Sequence, residues 1–179
     1  MEVELVPLEV LRAHEHIISE KVDQLERMTH RWNAFTKPLL IDRTTGTILD
    51  GHHRYEVALR LELQCLPCVL VDYLEDASIE LDVWPNCGRD SISKQDVVDA
   101  AMAGELMAPK TSRHRFSDHL PPIAVPLSRL ILPALPDEWS TLRRFRGIGS
   151  SSLLLNRVRR ADSLLRKRSA GPGSRRVIR

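Results

Sequence analysis

The segment Ile48-Leu49-Asp50-Gly51-His52-His53-Arg54-Tyr55 constrains the fold of this chain more than any other. A short apolar run ends at an acid, a glycine follows, and Val57, Ala58, Leu59 and Leu61 then continue with helical character. That order describes a strand, a tight turn and a helix N-terminus. The first backbone N–H groups of a helix have no partner within it and favour anions. Gly51 lets a phosphate approach the backbone closely. His52, His53 and Arg54 surround the same spot with donors or cations, and arginine can hold a phosphate through two parallel hydrogen bonds. Asp50 is out of place beside a bare anion. It fits if a divalent cation bridges it to phosphates, or if it accepts a substrate proton or ammonium. The alternative is a capping carboxylate beside two ordinary surface histidines.

The elements around this elbow follow from periodicity and turn chemistry. Pro38 to Asp42 reads as a strand, Thr44-Thr45-Gly46 as a turn, and Thr47 to Leu49 as the returning strand of a hairpin. Upstream, Glu4 to Leu11 begins as a strand and leads into a helix entry. Ile17, Ile18, Val22, Leu25 and Met28 give His16 to Arg31 a helical spacing. Downstream, Leu66 to Tyr73 and Ile79 to Val83 are strands. Ser93 to Ala103 is a helix with Ser93 as N-cap and Gly104 near its end. Prolines 109, 121, 122, 126, 133 and 136 make Met107 to Pro136 mostly extended or looped, with strands at Ile123 to Val125 and Leu127 to Leu132. The order predicts an α+β fold built on one main sheet.

At 179 residues, 42% apolar and 28% charged, the composition is that of a soluble globular protein of one or two small domains. No apolar run is long enough to span a bilayer, and the acidic start Met1-Glu2-Val3-Glu4 lacks a secretory pattern. A cytoplasmic protein with no membrane partner is expected, and three cysteines suit a reducing compartment. Cys65 and Cys68 have Cys-x-x-Cys spacing, but no second pair exists, so neither redox nor metal chemistry is assigned to them. His14 and His16, without a third ligand, are read the same way.

The net charge of +2 hides an asymmetry. Arg143 to Arg179 holds twelve Lys/Arg and one acid, a net +11, whereas Met1 to Leu142 holds 14 basic and 23 acidic residues, a net −9. The chain is divided into a domain at 1–135 and a basic, partly helical or flexible extension at 136–179. Weak nucleic-acid contact is one reading of that extension. A solvated tail lying against the acidic body is the other. Phe145 is the only aromatic beyond Leu142, which leaves little to stack on bases.

The Asp50–Arg54 segment, with Ala58-Leu59 and Pro67-Cys68-Val69-Leu70-Val71 after it, resembles the ParB/sulfiredoxin-like superfamily, and its Asp-Gly-His-His-Arg form resembles the free serine kinases in particular. Lys94-Gln95-Asp96-Val97-Val98 and the later Pro109-Lys110-Thr111-Ser112-Arg113-His114 are similar to further stretches of that family. The elbow has no cysteine, which separates it from sulfiredoxins. The resemblance covers roughly Val3 to Leu132. It implies a mixed sheet with flanking helices, and transfer of a phosphoryl group from ATP or ADP, with Mg²⁺, to free L-serine. It also implies site roles. Glu20, by position, is the general base, with Asp50 a second catalytic residue and metal holder. Gly51, His52, His53, Arg54, Lys110 and Thr111 bind nucleotide. Trp84, Ser112, Arg113 and His114 bind substrate, although Trp84 reads equally as a core aromatic. Two alternatives stand beside this: a ParB-like nucleotide-dependent DNA-binding regulator, and a kinase for another hydroxy amino acid.

Overall fold

The structure is a computed structural model and describes residues 1–116 and 119–131. The basic extension at 136–179, expected to be partly helical or flexible, lies outside the described residues, as does the domain boundary placed before it. No helix among the described residues is long and apolar enough to cross a membrane.

A four-stranded mixed sheet carries the fold. Its strands are β1 (Glu4–Pro7), β3 (Leu39–Asp42), β4 (Ile48–Asp50) and β5 (Cys65–Val71), in the order β1-β5-β3-β4. β5 runs parallel to β3 and antiparallel to β1, while β3 and β4 form the antiparallel hairpin. β3 and most of β5 are buried along their length, as expected of strands covered on both faces. Neighbouring side chains therefore serve opposite cores. Leu39 and Ile41 join one cluster with Val6, Val22, Val57 and Leu66. Leu40 joins the other with Tyr73, Val97 and Val98.

The first face is covered by α1 (Ser19–Trp32) and α2 (His52–Arg60). The second carries α3 (Lys94–Ala103), near the antiparallel pair β6 (Glu80–Val83) and β7 (Ser112–Arg115). Two short strands, β2 (Ala34–Phe35) and β8 (Val125–Pro126), pair antiparallel, and α4 (Ser128–Ile131) follows at once.

The hairpin turn is locked by Asp42. Its Oδ2 accepts from the Thr45 N–H at 2.8 Å and the Thr45 hydroxyl at 2.6 Å, and its Oδ1 accepts from the Tyr73 N–H at 3.1 Å. Gly46 takes φ +73°, and a Cβ there would stand 2.1 Å from the Val10 carbonyl oxygen, so the turn admits only glycine.

Two sequence expectations are revised. α1 begins at Ser19 rather than His16, because residues 14–16 pair with Met107 and the Ile18 N–H is taken by a histidine ring. Of the strand expected over Leu127 to Leu132, Ser128–Ile131 is helix instead, and Leu132 lies outside the described residues. Leu127 and Leu130 are the buried positions, a spacing of three that suits the short helix α4.

Candidate active site

The elbow between β4 and α2 forms one wall of a cavity of about 630 Å³. Gly51 caps α2 with φ +118° and ψ +19°, a left-handed conformation. A Cβ at this position would meet Leu39 Cγ at 2.6 Å and the Arg54 guanidinium at 3.2 Å. No side chain caps the helix, so the N–H groups of its first turn have no partner within it. Arg54 is fixed from two sides. One guanidinium nitrogen donates to the Pro38 carbonyl and the other to Asp50 Oδ2 at 2.9 Å. Lys37 Nζ reaches the same Oδ2 at 3.3 Å. Burial works to raise the Asp50 carboxyl, but Arg54 and Lys37 outweigh it and hold the pKa below the usual value. Asp50 is thus an ionised anchor that aims two cations along the cavity wall.

The 109–114 loop forms a second wall, organised by Glu15. Glu15 Oε1 accepts from the Lys110 N–H, and Oε2 accepts from the Ser112 N–H at 3.2 Å and the Ser112 hydroxyl at 3.0 Å. Oε1 thus takes one of these donors and keeps a lone pair for another. Trp84 donates its indole N–H to the Ser112 carbonyl at 3.1 Å. The Arg113 guanidinium lies 4.8 Å and Lys110 Nζ 5.6 Å from the Trp84 ring centre.

Among the described residues the lining carries five cationic side chains, Lys21, Lys37, Arg54, Lys110 and Arg113, against two carboxylates, Glu15 and Asp50. That imbalance suits a polyanionic ligand. Leu25, Trp32 and Phe35 add apolar lining from α1 and β2.

His14, His52, His53 and His114, near this wall, are neutral bases rather than cations. Burial pushes His14 down to about 4, and burial reinforced by His14 pushes His114 down to about 3. Burial, aided by His14 and His114, sets His52 well below its ordinary value, and burial with Lys21 lowers His53. His14 is fully buried, with its Nε2 2.8 Å from Ser112 Oγ and its ring 4.5 Å from that of His52. Tyr73 Oη lies 2.8 Å from His114 Nε2. The two cysteines of the Cys-x-x-Cys spacing are free and buried, and burial pushes the Cys65 thiol up to about 12, which leaves it inert.

The cavity brings together Asp50, Gly51, His52, His53, Arg54, Trp84, Lys110, Ser112, Arg113 and His114. Two sequence-chosen residues stand outside its lining. Glu20 is exposed on the first turn of α1. Thr111 is buried and spends its hydroxyl on the Ala108 carbonyl at 2.8 Å. Glu15, Lys21 and Lys37 were not singled out from the sequence. The hairpin register offered a signal for Lys37, since pairing Leu40 with Asp50 brings the residues before Pro38 alongside the acid.

Among the described residues no group of three His, Cys, Asp or Glu is placed to hold a metal. The cavity does supply one carboxylate at the anion wall, Asp50, and a magnesium ion bound mainly by phosphate oxygens needs no more from the protein.

An α+β fold with an open helix N-terminus and a cation-rich cavity defines the class, and comparison with known proteins narrows it. The chain has the fold of the free serine kinases. It superposes on a free serine kinase in complex with AMP with a TM-score of 0.67 at 16% identity, covering 73% of this chain and 94% of that one. SbnI from Staphylococcus aureus, C-terminally truncated, matches with a TM-score of 0.64 at 12% identity, covering 80% and 95%.

In sequence, a ParB-like protein of Sulfolobus acidocaldarius is 32% identical over 83 residues, 46% of this chain and 41% of its own length. An ATP-dependent L-serine kinase of Desulfurococcus mucosus is 27% identical over 84 residues, 45% and 32% respectively. An ADP-dependent L-serine kinase of Thermococcus kodakarensis is 25% identical over 83 residues, 44% and 34%. The chain therefore spans less than half the length of these curated relatives. No protein-family model matches it. The resemblance to free serine kinases and the mixed α+β sheet expected from the sequence are both borne out.

Proposed function

We propose that this protein is a kinase for a free hydroxy amino acid, with L-serine as the acceptor and ATP or ADP as the donor. The observation that carries this reading is the juxtaposition, in one cavity, of an uncapped helix N-terminus flanked by Arg54 and Lys37 with the carboxylate of Glu15. Supporting it, curated relatives carry the names of ATP- and ADP-dependent L-serine kinases.

In this reading the phosphate chain lies on the first turn of α2. Gly51 leaves room for it, and Arg54, Lys37 and Lys110 neutralise its charge. Asp50 is the carboxylate that would hold a magnesium ion here, and such an ion would further neutralise the phosphate oxygens. Arg113 pairs with the amino acid carboxylate, and Trp84 walls that end with Ser112 and His114 beside it. The serine hydroxyl oxygen attacks the terminal phosphorus while Glu15 accepts its proton. A new O–P bond forms and the bond to the nucleotide's bridging oxygen breaks. The products are O-phosphoserine and ADP, or AMP when ADP is the donor. The geometry favours Glu15 over Glu20 as base, because Glu15 lines the cavity and Glu20 does not. The reaction belongs in the cytoplasm, in keeping with three unpaired cysteines.

The test is purified protein with Mg²⁺, L-serine and either nucleotide, followed by ³¹P NMR for phosphoserine. Threonine and homoserine serve as competing acceptors. Glu15→Gln is expected to lower kcat on the order of 10²–10⁴-fold, the range of a lost general base. Glu20→Gln is expected to stay near wild type. The reverse pattern would restore Glu20 as the base, and no turnover with any acceptor would end the kinase reading.

A second reading has the ParB-like relative and the basic extension in its favour: nucleotide-dependent DNA binding. It requires salt-sensitive DNA binding by the full chain that disappears when the chain ends at Leu142.

A further inference from the structure

Two hydrogen bonds at the elbow run opposite to the direction a cationic phosphate clamp requires. The backbone N–H of His14 donates to Nε2 of His52 at 3.4 Å, and the N–H of Ile18 donates to Nε2 of His53 at 3.2 Å. A ring nitrogen that accepts carries no proton, so each imidazole is neutral and has its proton on Nδ1. The two donated N–H groups lie on either side of Glu15 in the chain.

The same stretch is fastened to Met107 as well. The His16 N–H donates to the Met107 carbonyl at 2.9 Å, and the Met107 N–H donates to the His14 carbonyl at 2.8 Å. The His14 ring adds a further tie. Ser112 donates its hydroxyl to Glu15, which can only accept, so the contact between Ser112 Oγ and His14 Nε2 has the histidine as donor. Residues 14–18 therefore join the elbow to the 110–112 loop, and the two consecutive histidines of α2 are the elbow's half of that joint.

We propose that His52 and His53 are positioning residues. They stitch the Glu15 segment to the first turn of α2 and so set the distance between the carboxylate and the phosphate cradle, instead of gripping phosphate as cations. The proposal rests on the kinase reading for the role of Glu15, while the stitch itself rests on geometry alone. It explains why two consecutive histidines are present. Successive residues of a helix's first turn point in different directions, and here one reaches His14 and the next reaches Ile18.

The stitch is read directly by long-range ¹H–¹⁵N correlation NMR of the labelled full chain at neutral pH, with the rings assigned from His52→Gln and His53→Gln samples. Both Nε2 atoms are expected to be unprotonated, and to remain so when ADP is added. A proton on Nε2 of either ring overturns the proposal, whether or not the enzyme turns over. Kinetics test the consequence. His53→Leu removes the acceptor and is expected to lower kcat by about 100-fold, the cost of misplacing a reacting group by about 1 Å, with little change in nucleotide KM. His53→Gln, whose amide oxygen reaches about as far as Nε2, is expected to regain most of that loss. A deficit falling mainly on nucleotide KM, or a Gln variant no better than Leu, overturns it. If wild-type protein phosphorylates no acceptor, the kinase reading fails on its own and the NMR result still decides the stitch.

Discussion

Gly51 combines a left-handed backbone with a site where a Cβ would overlap Leu39, and both penalties act at the same atom. Gly51→Ala is therefore expected to destabilise the protein by about 2 kcal/mol or more. The urea midpoint should fall while the m-value holds, and nucleotide binding should weaken because α2 can no longer start where it does. An unchanged midpoint would mean that the elbow relaxes freely. Asp50, Gly51 and Arg54 were legible in the sequence because their geometry is local: an acid ends a strand, a glycine turns it, and an arginine one helical turn later reaches back to the acid. Glu15 was not legible. What places it are bonds to Lys110 and Ser112, 95 and 97 residues away, which no local pattern encodes. Glu20 is more conspicuous, at the head of an amphipathic helix, yet a helix's first turn in solvent is an ordinary place for an acid.

Elements with strong local chemistry were read correctly, whereas among those formed by distant pairing β2 and β7 were missed and β8 was placed at Ile123 to Val125 rather than Val125–Pro126. α3 is the clearest of the first kind. The Ser93 hydroxyl accepts from the Asp96 N–H at 3.1 Å, the Asp96 carboxylate accepts from the Ser93 N–H at 2.8 Å, and Gly104 closes the helix at φ +73°. Ser93→Ala is expected to cost about 1 kcal/mol, visible as a lower urea midpoint. Ser93 lies outside the cavity lining, so phosphoserine production should be unaffected. A drop in kcat as well would show that α3 governs the site. β2 and β8 are of the second kind. Each is two residues long and exists only because Ala34–Phe35 and Val125–Pro126 meet across about ninety residues. α4 was misread for a related reason: a short run rich in leucine and isoleucine fits strand or helix until burial shows which spacing is used.

At the scale of the whole molecule, the site and the core end at different points in the chain. Every described residue lining the cavity lies at or before Phe116, but Leu127 and Leu130 belong to the first core and the Leu130 carbonyl accepts from the Gln64 N–H at 2.8 Å. A chain ending after residue 135 is thus expected to keep phosphoserine formation. One ending before Val125 should lose cooperative unfolding although no described lining residue is removed. Full loss of activity in the longer truncation would assign the basic extension a part in the reaction. The buried histidines make stability of the intact molecule depend on pH in a stated direction. His14 and His114 are held at about 4 and about 3, below their ordinary 6.5, so between those values the unfolded chain binds protons that the folded chain does not. Stability is then complete above about pH 6.5 and declines as pH falls toward 4, by at most about 1.4 kcal/mol per pH unit for each histidine. Asp50, also held below its ordinary value, adds its own loss only at still lower pH. Urea midpoints at several pH values from 7.5 to 4.5 measure this. His114→Gln should flatten the slope by about one proton's worth, and a midpoint independent of pH in wild type would show that these rings are solvated rather than buried.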